Sequence, residues 1–170
     1  MVHKQYKKFA IIGFVITTVV CLYILFGDHD FLERRYALEM DFQQLEETRT
    51  GPEILEALRG LNLHCEVAPT PLGDQVCGAM LAEYEGIPAD NIMFYFDAQQ
   101  RLTAVKLSLP ASEHEALATL LQSRYGTPIT AEPVATWSVA NGQLALGAPE
   151  GDTTTTLWIA KSPENLASNN

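Results

Sequence analysis

The chain has 170 residues, 47% of them hydrophobic, and a formal net charge of −10. All 21 acidic residues but only 8 of the 11 basic ones follow position 26, so that part carries −13. A surface this acidic repels nucleic acid and anionic lipid headgroups, so both are poor partners for it.

Residues 1–8 include Lys4, Lys7 and Lys8 and read as a short cytoplasmic N-terminus. Phe9 to Phe26 follows without a charge, and 12 of these 18 residues are Leu, Ile, Val or Phe. At about 1.5 Å per residue the run reaches about 27 Å, close to the roughly 30 Å of a bilayer core. It predicts a transmembrane anchor. Asp28 and Asp30 come just after it, so the positive-inside rule keeps the lysines in the cytoplasm. The expected location is the inner (cytoplasmic) membrane, crossed once, with the C-terminal part periplasmic or otherwise extracytoplasmic. A cleaved signal peptide fits less well, because the apolar run is too long and no A-x-A site follows.

Residues 27–50 read as a juxtamembrane helix. Phe31, Leu38, Phe42 and Leu45 recur at helical spacing on one face. So broad a stripe suits packing on the chain's own domain better than a coiled-coil seam. If it packs on a partner instead, these four residues are the candidate partner-binding face.

Residues 51–161 read as one α+β domain. Thr50-Gly51-Pro52-Glu53 opens a helix with a capping box, and Gly60 stops it. Leu61, Leu63, Cys65 and Val67 alternate as in a half-buried strand, and 68–74 reads as a loop. Residues 76–84 are ambiguous in composition and lean to strand. Asn91–Phe96 and Leu102–Leu109 form a hairpin around the turn 97–101. Ser112 and Glu115 make a second capping box, for a helix ended by Gly126 and Pro128. Asn141-Gly142 predicts a two-residue turn that sets Val139 against Leu144 and Trp137 against Leu146. Thr153 to Ala160 is a last strand, its threonine run suited to a sheet edge. Residues 162–170 are a polar tail.

The expected fold class is therefore α+β: a single N-terminal transmembrane helix, then a small domain of helices packed on antiparallel sheet built from hairpins.

Cys65 and Cys77 are the only cysteines outside the apolar run. In an oxidising compartment they predict a disulfide, worth nearly 3 kcal/mol (about 13 residues enclosed) in the chain-entropy model. His64 adjoins Cys65, but no second Cys/His pair has ligand spacing, so no metal site is expected.

Motifs for dinucleotide, phosphate, zinc-protease, serine-hydrolase and calcium-loop chemistry are absent. No catalytic residue and no cofactor is predicted. Glu46/Glu47 and Glu83/Glu85 are carboxylate pairs, the second sharing a face if 76–84 is a strand. His114 reads as exposed in the first turn of a helix. The expected function is a non-catalytic accessory or assembly subunit that binds another envelope or membrane protein, with no small-molecule substrate. The alternatives are an acidic binder or inhibitor of a basic protein, and a hydrolase whose pocket gathers Glu83, Glu85 or His64.

Overall fold

The computed structural model describes residues 35–45, 50–58, 60–129 and 133–161. One long strand sets its layout: β3, Gly73–Tyr84, for which the preceding strands β1, Tyr36–Leu38, and β2, His64–Thr70, both serve as partners. After it come β4, Ile87–Pro88, β5, Asn91–Phe96, β6, Leu102–Pro110, β7, Val134–Val139, β8, Gly142–Gly147, and β9, Thr153–Ala160. All nine join one sheet in the order β1-β3-β5-β6-β9-β8-β7, with β2 and β4 also on β3. Only β1 runs parallel to its neighbour, so the sheet is mixed. Among the described residues the α-helices are α1, Gly51–Ala57, and α2, His114–Tyr125.

This overturns the expected α+β architecture. The described chain is mostly β, and its longer helix has 12 residues. Among the described residues no helix is long and apolar enough to cross a membrane. The apolar run 9–26 and Phe31 lie outside the described residues. So do Glu46 and Glu47.

The expected helix over 27–50 is not formed where the chain is described. Tyr36–Leu38 is a strand and Phe42–Gln44 a single 3-10 turn. The apolar spacing had a different cause. Leu38, Phe42 and Leu45 are 5%, 0% and 6% exposed because this segment lies extended over the domain's own core.

Strand alternation builds that core. In register across seven strands stand Cys65, Cys77, Phe94, Val105, Trp158, Leu144 and Trp137, all on one face. Every one beyond Cys65 is at most 2% exposed. Burying a large apolar side chain in this way contributes about 1.5–3 kcal/mol. Ile54 of α1 and Leu117 and Leu121 of α2 belong to the same core, so both helices cover this face. The opposite face carries the alternate residues, among them Tyr95, Ala104 and Ile159 in one row and Met93, Lys106 and Leu157 in the next.

Several local expectations are corrected. Strand β2 begins at His64 rather than Leu61 and continues to Thr70, so residues 68–74 form a tight hairpin, not a loop. Pro69 is tolerated there because β2 pairs on one side only. Ser112 does not cap α2. Its hydroxyl goes to Glu113, and a 3-10 turn over Ala111–Glu113 leads into the helix. The Asn141-Gly142 hairpin turns one residue earlier, pairing Val139 with Gly142 and Trp137 with Leu144. Gly142 is needed inside the strand, since a Cβ there would strike the Ile159 carbonyl and come within 2.6 Å of Trp158 Nε1. Moving each partner by two residues keeps every side chain on its face, so Trp137, Val139, Leu144 and Leu146 are still all buried.

The threonine run is not at an edge. Strand β9 lies between β6 and β8, and Thr154 and Thr156 are fully buried. Their hydroxyls are satisfied: Thr156 donates to the Ala145 carbonyl at 2.9 Å, and Thr154 meets His114 Nδ1 at 2.9 Å. A threonine with its hydroxyl bonded fills a buried strand position at little cost. His114 is thereby half-buried rather than exposed.

Candidate functional site

Residues 38–45 cross the core face as a strap, held largely by side chains from distant parts of the chain. The Tyr84 hydroxyl donates to the Met40 carbonyl at 2.7 Å. The Met40 amide donates to Glu85 Oε1 at 3.0 Å, and the Glu85 amide donates to the Leu38 carbonyl at 2.9 Å. The Phe42 amide donates to the Tyr125 hydroxyl at 3.1 Å, which itself donates to Asp41 Oδ1 at 2.8 Å. Asn141 Nδ2 donates to the Leu45 carbonyl at 3.0 Å.

Arg124 closes this network. It stands in the last turn of α2 and meets both oxygens of Glu85, Nη2 to Oε2 at 3.0 Å and Nη1 to Oε1 at 3.2 Å. Glu85 occupies the tight turn after β3 with φ of +51°, a conformation that costs a non-glycine residue about 1 kcal/mol or more. That backbone aims its carboxylate at the strap and at Arg124 together.

The network's electrostatics favour holding over reacting. The hydrogen bond to Glu85 keeps the Arg124 guanidinium charged, raising its pKa against the opposing effect of burial. Burial, reinforced by Tyr125, pushes the Tyr84 phenol far above its usual value. Burial and the hydrogen bond to Asp41 do the same for Tyr125. Both phenols therefore stay protonated and act as donors.

Beside the strap lies a cleft of about 520 Å³. Leu45, Ile54 and Phe94 give it buried apolar walls, and Glu39, Asp41, Glu85 and Arg124 supply the charge. Of the three residues a hydrolase pocket was expected to gather, it contains Glu85 alone.

No family model, no curated protein and no solved structure matches this chain. Its site is therefore described by its own geometry.

The remaining candidates fall as follows. Cys65 and Cys77 form the expected disulfide, directly opposite each other on β2 and β3. Leu38, Phe42 and Leu45 are buried in the domain's own core, and Leu45 also lines the cleft. Glu83 and Glu85 are not on one face, because β3 ends at Tyr84 and Glu85 turns away to Arg124. His64 stands exposed on β2, opposite Gly78. Among the described residues no group of three or more His, Cys, Asp or Glu can hold a metal ion. The sequence reading missed Asp41, Tyr84, Arg124 and Tyr125 as a cluster. The only hint was Arg124-Tyr125 at a helix end, a cation and a phenol where the helix's last turn points back toward the sheet.

Proposed function

We propose that this chain is a non-catalytic accessory or assembly subunit, tethered to a membrane through residues 9–26, whose β domain binds another envelope protein on the extracytoplasmic side. The tether is argued from the uncharged apolar run and the lysines before it. The Cys65–Cys77 bridge supports an oxidising compartment for the domain.

One observation carries the non-catalytic reading. Of the cleft's charged residues, Asp41, Glu85 and Arg124 are engaged in fastening the strap, together with the adjoining Tyr84 and Tyr125. A general base or nucleophile needs a free lone pair facing substrate, and these groups direct theirs at one another.

The test is purification of the tagged full chain from membranes in mild detergent. A membrane protein retained in fixed stoichiometry is the expected result, and recovery solely as a free monomer counts against the proposal.

A second reading has a specific support. Glu39 and Asp41 line a cleft with apolar walls, which suits a basic, partly apolar segment of a soluble protein. Association of that kind slows steeply with salt, whereas an apolar membrane contact does not.

A further inference from the structure

Where β5 to β9 form it, the sheet face turned away from both helices is almost free of charged side chains. The described residues include 14 carboxylates and 5 Lys or Arg, yet none of the 14 stands on β5, β6, β7, β8 or β9. The one Lys or Arg on those five strands is Lys106, whose side chain makes no ion pair with any described residue. It lies in register between Met93 and Leu157. Around it, Met80 and Ile159 remain 44% and 43% exposed. Tyr95 lies against Met93 on the same face, its hydroxyl 3.6 Å from the sulfur.

From this we infer that the open face is a docking surface for an amphipathic helix of another protein, one whose apolar side carries a carboxylate opposite Lys106. The inference rests on the binding role proposed above and names its surface. Three physical points select the occupant. The strands β5 to β9 hold no carboxylate, so their stretch of the open face is accessible to an anionic group; Glu66, on the same face, stands apart on β2. An unpaired ammonium amid apolar side chains gains most from a carboxylate that arrives with its own apolar surround. A second copy is disfavoured, because face-to-face stacking brings two lysines and two strongly acidic domains together. The strands from β3 to β8 span about 19 Å at about 4.8 Å each, the length of roughly 13 helical residues.

The test uses the full chain in its native membranes, with a photoreactive benzophenone side chain placed at Leu157, at Ile159, or at the exposed Gln122 of α2. Adducts from 157 and 159 are expected on an apolar, Asp- or Glu-bearing helix of one other protein, with little from 122. Lys106→Glu should cut their yield about tenfold or more, and Lys106→Arg should restore it. Near-ultraviolet circular dichroism establishes that each variant is folded. Adducts to lipid or to a second copy overturn the inference, as do yields unchanged by Lys106→Glu. A partner that co-purifies but reacts only at 122 leaves the binding role standing and removes this surface. No co-purifying partner and no adduct removes both.

Discussion

Arg124 and Glu85 are 39 residues apart, yet they meet as a two-pronged pair whose second role is to anchor the backbone of Met40. The side chains keep 27% and 18% of their exposure, so solvent screens the pair in part. Glu85→Gln should cost about 1–2 kcal/mol, mostly through the partner left behind rather than through the pair's own attraction. Thermal unfolding measures the loss. Hydrogen exchange should accelerate first at the amides of Met40 and Phe42, and equal acceleration across the whole sheet would refute the strap's dependence on this pair.

Tyr84 and Tyr125 predict how stability responds to alkali. Both phenols have raised pKa values in the folded protein, chiefly through burial. A raised value means the folded state holds its proton more tightly than the unfolded state. Stability is then complete below about pH 10 and falls as pH rises above it. Tyr84→Phe should flatten that decline while costing about 1 kcal/mol at neutral pH for the lost bond to the Met40 carbonyl. Denaturant melts between neutral pH and the alkaline limit distinguish the two effects.

Gly142→Ala should destabilise the domain by about 2 kcal/mol or more, since the added carbon meets the Ile159 carbonyl and the Trp158 ring. Gly147 is the control on the same strand, where a Cβ finds nothing within 4 Å. Gly147→Ala should be neutral or slightly stabilising. Equal midpoints for the two variants would remove the tight-approach explanation.

Reducing the Cys65–Cys77 bridge should lower stability by about 2–3 kcal/mol. The effect should be local first, because β2 pairs with β3 alone. Amide exchange in residues 64–70 should rise before that in β5 or β6. The same loss is expected for paired serine replacements without reductant.

What the sequence made legible was local chemistry with a short reach. The hairpin from Asn91 to Pro110 could be read because Asp97 shapes its turn locally, accepting from the amides of Gln99 and Arg101 and pairing with the Arg101 side chain. The disulfide followed from the cysteine count and from an expected, oxidising compartment. Residues 36–45 misled because Leu38, Phe42 and Leu45 have helical spacing, while their actual fixing points, Tyr84, Glu85, Tyr125 and Asn141, lie far along the chain. The threonine run misled because a buried hydroxyl looks unaffordable until its acceptor on β8 is known. The candidate site depends wholly on such distant pairings, so composition alone could not assemble it.

Strand β9 is made after the eight other strands and joins the sheet's two halves, with β6 on one side and β8 on the other. Until it arrives, β6 and β8 each offer a bare, apolar ladder to any neighbouring chain. Maturation of this domain is thus gated by β9, and stalled or nicked molecules lacking residues 153–160 should clump rather than settle into a smaller native form. A protein made this way has reason to be produced slowly, dilute, or in the company of chaperones.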